Sequence, residues 1–162
     1  MMGITTHIRT AVRNDMPWIL KLAEMEYNQF QQRTPFNAPI VANYFEFALQ
    51  SPDSLLMVIT NHNQIPFGYL EASIEYLDLS TAPTAQCGHW FVNNPKQMYG
   101  NKNFGLDLLG AFEGWAIHKN CPNTIVQLRM DPGTRRTYDR VFDKLGYKPN
   151  YVAYTKEMPK DE

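Results

Sequence analysis

The spacing of apolar positions changes repeatedly along the chain, and each change marks an element. Thr6-His-Ile-Arg-Thr-Ala-Val12 alternates and is rich in β-branched residues, which predicts a first strand. Trp18, Leu22 and Met25 then recur at helical spacing, with Ile19, Ala23 and Phe30 widening the stripe. Asn14-Asp15 supplies a cap for this helix, and Pro17 is tolerated in its first turn. Thr34-Pro-Phe-Asn-Ala-Pro39 breaks it. A second helix is predicted from Ile40, with Val41, Tyr44, Phe45, Ala48 and Leu49 on its apolar side, until Ser51-Pro-Asp-Ser stops it.

From Leu55 the period shortens. Leu55-Leu-Met-Val-Ile-Thr60 is a buried-type strand, Asn61-His-Asn-Gln64 a turn, and Ile65–Leu77 the second arm of a hairpin. Asp78–Gln86 reads as a loop and Cys87–Val92 as the next strand. The loop Asn94–Gly105 leads into a helical pattern that runs to Lys119 and ends at Asn120-Cys-Pro122. Thr124–Met130 alternates as a strand. Asp131-Pro-Gly-Thr opens a helix with Tyr138, Val141, Phe142 and Leu145, closed by Gly146 as a C′ glycine. Tyr147–Met158 is a last strand or a tight hairpin. The order β-α-α-β-β-β-α-β-α-β, with one more strand if the last segment is a hairpin, predicts a mixed α/β domain.

Composition adds limits. A chain of 162 residues with 44% hydrophobic and 13% aromatic residues fits a single domain, 1–162, with a packed core. A net charge of −1 without a Lys/Arg run argues against a nucleic-acid surface. Neither a signal peptide nor a membrane span is expected from the sequence, and a cytoplasmic setting is the default. Cys87 and Cys121 match no zinc or redox spacing, and the scattered His7, His62, His89 and His118 offer no metal-ligand pattern. Cys87-Gly-His89 places a thiol and an imidazole two apart on a strand, without an orienting Asn/Asp pattern or a nucleophile elbow to support a thiol nucleophile.

The strand–loop–helix around Asn94–Gly105 carries the chemistry. The first turn of a helix has backbone N–H groups without internal partners, and its dipole attracts anions. Gly100–Gly105 satisfies G-x-x-x-x-G, but Leu106-Asp107 follow in place of the Lys-Ser/Thr that nucleotide binding requires. The chain instead resembles the GNAT-type N-acetyltransferases, over the span from the Ile8 strand to Met158. Members carry Gln/Arg-x-x-Gly-x-Gly/Ala before the helix that receives the acetyl-CoA pyrophosphate. Here Gly100-Asn-Lys-Asn-Phe-Gly105 keeps the last glycine and the apolar Phe104, with Asn103 at the first glycine and Gly100 at the leading Gln/Arg. Asn tolerates left-handed backbone, so Asn101 and Asn103 are expected to hold the loop shape. Val141-Phe-Asp-Lys-Leu-Gly-Tyr147 is similar to the family's Leu-Tyr-Glu-Lys-x-Gly-Phe.

The resemblance implies a GNAT-like central mixed sheet flanked by helices and acetyl-CoA as co-substrate. It implies direct transfer of the acetyl group to a primary amine, on a small molecule or a peptide, within a ternary complex. In the family, pantetheine pairs with the central strand in a gap beside its parallel neighbour, which selects Phe91 and Val92 here. Backbone N–H groups of Asn101 to Gly105, with Leu106 next in line, would hold the pyrophosphate, and Lys102 and Arg135 could add charge. The family's thiolate-protonating tyrosine falls on Phe142. Tyr138, four residues earlier on the same helical face, either substitutes for it or simply packs. For a base, Glu71 and Glu75 share a face of the third strand, and His89 lies on the central one. Phe142 and the altered loop sustain a second reading, a GNAT-fold acyl-CoA-binding or protein-interaction module with weakened catalysis. A homodimer through the late strands is compatible with the resemblance.

Overall fold

The protein is described by a computed structural model over residues 6–29, 34–77, 81–93, 103–128 and 135–149. Strand β1 (His7–Thr10) lies antiparallel to β2 (Ser54–Thr60), and β2 forms a hairpin with β3 (Pro66–Glu75) through the turn at Asn61–Gln64. β3 pairs antiparallel with β4 (Thr84–Val92), and β4 pairs parallel with β5 (Asn123–Val126). The sheet is five-stranded and mixed, in the order β1-β2-β3-β4-β5. Helices α1 (Met16–Asn28) and α2 (Ala38–Gln50) precede β2, and α3 (Phe104–His118) connects β4 to β5. The mixed α/β expectation holds.

The described residues form two compact units, divided between 129 and 130. The first contains the sheet and α1–α3. Helix α4 (Arg135–Lys144) belongs to the second and is treated separately.

Both faces of the sheet are covered, which explains why β2 is apolar from Leu55 to Ile59 and buried from Leu55 to Thr60. On one face Leu56, Val58 and Tyr69 pack against Ile19, Leu22 and Ala23 of α1 and Phe45 of α2. On the other, α3 contributes Leu108, Leu109 and Phe112, none more than 1% exposed. Asp15 is 4% exposed and serves a different role from a simple helix cap. Arg9 grips it with Nη1–Oδ2 at 2.7 Å and Nη2–Oδ1 at 2.9 Å, and the Val12 N–H donates to Oδ2 at 2.8 Å. The bond from Arg9 holds the Asp15 carboxyl below the usual carboxylate range, against the opposing effect of burial. This contact ties β1 to the 3-10 turn Arg13–Asp15 at the start of α1.

Several boundaries differ from expectation: β5, expected over Thr124–Met130, ends at Val126, and residues 127–128 are not strand. Thr84–Gln86, expected in a loop, opens β4; a Thr-Ala-Gln segment lacks an apolar signal, yet pairing on both edges makes it strand. The last strand was expected from Tyr147; residues 147–149 are not strand, and the rest of that segment lies outside the described residues.

Candidate active site

β4 changes partners halfway along. From Thr84 to Cys87 it pairs with β3 on one edge and β5 on the other. Among the described residues the pairing with β5 ends there, with the Gln127 N–H donating to the Cys87 carbonyl at 3.0 Å. At the same point the register with β3 slips: Ala72 faces Cys87, whereas Glu71 faces His89. Gly88 is the extra residue, and such a bulge bends its strand and breaks the alternation of side chains. Cys87 therefore shares a face with Ala72 and His89 with Glu71, so the two are not placed side by side as their spacing of two suggests. The Cys87 thiol is fully buried and its pKa is pushed upward by burial, which removes it as a nucleophile.

The bulge also decides which backbone groups face the β5 edge. The Asn93 N–H donates to the Phe67 carbonyl at 2.8 Å. With this parity, Tyr69–Phe91 and Glu71–His89 exchange backbone bonds across β3 and β4. Trp90 and Val92 direct their amide and carbonyl groups to the β5 side. This corrects the expectation for Phe91, whose backbone is committed to β3; Val92 retains the expected direction.

Glu71 projects from the same face as Tyr69 and His89 and is 3% exposed. Its Oε2 has no hydrogen-bond partner among the described residues. A Cβ on Gly88 would stand 3.0 Å from this oxygen, so the glycine leaves room for the carboxyl. Burial raises the Glu71 pKa above the ordinary glutamate value; His89 and the neighbouring Tyr44 hydroxyl pull the other way, and Glu75 and Glu26 reinforce the rise. Such a group can take a proton nearer neutrality than a solvated glutamate does.

His89 is partly exposed, and its Nδ1 lies 3.6 Å from Oε2 of Glu26, a residue of α1. That is ion-pair distance when the imidazole is protonated. The buried Tyr69 hydroxyl donates to the same Glu26 oxygen. The rings of Tyr44 and Phe45 stand 6.1 and 6.2 Å from the His89 ring. Glu75 is exposed at the end of β3, where its Oε1 accepts from Ser73 Oγ at 3.0 Å. The structure thus brings Glu71, His89 and Glu75 to one face and adds Glu26 and Tyr44. Glu26 was missed in sequence because it sits on the polar side of α1, and Tyr44 reads there as part of the apolar stripe of α2. The signal for the bulge was legible: an isolated glycine inside a strand pattern.

At the start of α3, Asn103 has φ −96° and ψ 81°, so it is not the left-handed residue expected. It is the N-cap, with Oδ1 accepting from Leu106 N–H at 3.2 Å. Leu106 is therefore engaged locally. Phe104 is 3% exposed and packs edge-on against Phe67, ring centroids 5.3 Å apart, so its side chain belongs to the core. Gly105 is required by Trp90: a Cβ there would stand 3.0 Å from the indole, whose Nε1 donates to the Gly105 carbonyl at 2.9 Å. Gly100, Asn101 and Lys102 lie outside the described residues.

Comparison with solved structures matches this arrangement across almost the whole chain. An aminoglycoside N-acetyltransferase, AAC(6')-Iy, in complex with CoA superposes with a TM-score of 0.72 at 18% identity, over 96% of each chain. The 6'-N-acetyltransferase AAC(6')-Ih from Acinetobacter baumannii gives 0.66 at 19%, over 96% of this chain and 100% of its own. A GNAT family acetyltransferase from Staphylococcus aureus gives 0.66 at 14%, over 95% and 99%. The fold is the GNAT acetyltransferase fold. No family model matches the sequence, and no curated protein matches it either.

The second unit carries the other motif by which the sequence resembles the GNAT enzymes. Gly146 adopts φ +85°, and the Tyr147 N–H donates to the Phe142 carbonyl at 2.9 Å, the left-handed helix stop expected there. Within α4, Arg135 Nε lies 3.7 Å from Asp139 Oδ2, and the Tyr138 and Phe142 rings are 6.5 Å apart. Phe142 packs edge-on against Tyr147 at 5.2 Å. Tyr138, Arg135 and Phe142 thus lie together on one unit, while Glu71, His89 and Glu75 lie on the other.

Proposed function

We propose that this protein is an acetyl-CoA-dependent N-acetyltransferase that acts on a primary amine by direct attack in a ternary complex. The observation that carries the reading is the end of the β4–β5 pairing at Cys87 among the described residues, beside the buried carboxyl of Glu71. Several features fit the co-substrate. Val92 directs backbone groups to the edge where pantetheine would lie, and the Phe104 and Gly105 amides stand in the first turn of a fifteen-residue helix. Bound acetyl-CoA supplies an activated acetyl thioester.

The chain's own part is proton handling and placement. An amine attacks only after its ammonium form has lost a proton, and Glu71 is the acceptor. Burial raises its pKa, so its protonated form persists to higher pH than that of a solvated glutamate. His89, held by Glu26, borders the amine and can pass the proton outward. A C–N bond forms, the C–S bond breaks, and the departing thiolate takes up a proton; Tyr138 is the candidate donor for that last step. Glu75 at the rim contributes charge rather than a direct role.

Isothermal titration with acetyl-CoA tests the first half of this reading, with binding expected in the micromolar range. Absence of heat at high micromolar concentration would sink it. Release of free thiol across a panel of primary amines tests the second half. One observation favours the alternative of an acyl-CoA-binding or interaction module: the Leu106 amide is already capped by Asn103. Binding without thiol release for every amine would select it. A Tyr138→Phe variant with undiminished turnover would remove Tyr138 from the reaction.

A further inference from the structure

The α1/α2 face of the sheet holds more negative charge than one proton transfer uses. Glu26, Glu71 and Glu75 all influence this region, and among the described residues none of them forms an ion pair with Lys or Arg. The cations nearby in sequence are spent elsewhere, Arg9 on Asp15 and Arg13 on Glu46. His89 is the basic group paired with Glu26. A cluster of acids alone says little, since solvent and counter-ions can satisfy it. Glu71 is different: it is 3% exposed, and its Oε2 has no hydrogen-bond partner among the described residues. A buried polar oxygen without a partner costs stability, and a ligand that donates to it recovers that cost.

The shape of the charge is linear. Glu71 and Glu75 lie four residues apart on one face of β3, a rise of about 13 Å. The half-exposed Tyr44 reaches this face from α2, with its hydroxyl beside Glu71 and its ring 6.1 Å from that of His89, and both Glu71 and Glu75 act on the hydroxyl. An aromatic wall beside one carboxyl, with a second carboxylate farther along the strand, suits a methylene chain between two ammonium groups. A single ammonium would satisfy Glu71 and leave Glu75 facing an uncharged tail.

We propose that the acceptor is a small aliphatic dication, a diamine-type chain with its reacting nitrogen at Glu71 and its second ammonium at Glu75. This rests on the transferase reading above, and the experiment separates the two. Binding of heptamethylene diamine and of heptylamine to the CoA-saturated protein is measured by titration calorimetry, in wild type and in Glu75→Gln. The diamine is expected to bind about tenfold more tightly than the monoamine, a margin that shrinks about fivefold in Glu75→Gln and narrows with added salt. A melting curve confirms that the exposed substitution leaves the fold intact. Equal affinities for the two amines, or a preference that Glu75→Gln does not alter, would overturn the proposal. An aminoglycoside forms a third arm: binding that weakens in Glu75→Gln supports the dication site on a rigid carrier, and tight binding indifferent to Glu75 counts against it. Thiol release reports separately. Diamine binding without release removes the transferase reading alone, whereas release from both amines at equal KM removes the dication alone.

Discussion

At their centres the two faces of β3 and β4 are equally buried and chemically opposite. Towards α3 lie Leu70, Ala72 and Cys87, all fully buried, against Leu108, Leu109 and Phe112. Towards α1 and α2 lie Tyr69 and Glu71, equally buried, with His89 and Glu26 at their margin. One face is a core and the other holds ionisable groups within a core. Burial therefore does not mark where structure ends and chemistry begins. What marks it is the polar side chain left at a position that packing alone would fill with leucine, at a cost in stability.

Substitutions on either side should separate the two roles. The largest effect is expected on the apolar face: Phe112→Ala removes a fully buried ring and should cost about 3–5 kcal/mol, read as a lower denaturant midpoint. Thiol release per folded molecule should be retained. A parallel loss of activity at full foldedness would blur the contrast.

Glu71→Gln should act in reverse. Turnover is expected to drop about a hundredfold or more, as for loss of a general base. Stability should respond with a defined sign. The folded carboxyl keeps its proton at pH values where the unfolded chain, with a glutamate pKa of about 4.3, has lost it. Wild-type stability should thus fall as pH rises from that value towards the raised folded one. Gln does not titrate, so the variant should melt higher than wild type at neutral pH and lose that advantage in acid. Melting curves across pH decide the matter, and a variant less stable at neutral pH would contradict the assigned direction.

Gly88→Ala tests the contact between bulge and carboxyl. The new Cβ would lie 3.0 Å from Glu71 Oε2, and the flexible carboxyl must yield by a few tenths of an ångström. Turnover should fall about three- to tenfold, with stability changed by less than about 1 kcal/mol. The smallest effect is expected for Trp90→Phe, which deletes the bond to the Gly105 carbonyl. It should cost about 1 kcal/mol and lower Tm by about 2–4 °C, as seen by calorimetry.

Much of the fold was legible in sequence because each element carries its own periodicity. β2 reads as a buried strand and becomes one, and Gly146 reads as a helix stop and takes the required positive φ. Thr84–Gln86 was not legible, since its strand character comes from neighbours on both edges. The site divides the same way. Glu71 and Glu75 stand on a strand whose alternation could be followed. Glu26 reaches His89 from α1, and nothing near it in sequence reveals that approach. Asn103 was recognised as special for the wrong reason: its value is a side-chain acceptor at the head of α3, not a left-handed backbone. Phe91 was misassigned because one unpaired residue upstream inverts the outward-facing set.

That unpaired residue makes the bulge in β4 a determinant in its own right. A strand behaves as a two-state counter, and Gly88 adds one to the count. Upstream of it, Cys87 turns its carbonyl to β5; downstream, the same outward orientation falls on Trp90 and Val92. Deleting Gly88 would leave Cys87 opposite Ala72 and His89 opposite Glu71, whereas a regular ladder that paired Gly88 with Glu71 would reverse every later assignment, turning Phe91 outward and carrying the imidazole to the other face. The proton-handling face and the open edge are coupled by arithmetic, through a residue that has no side chain to contribute.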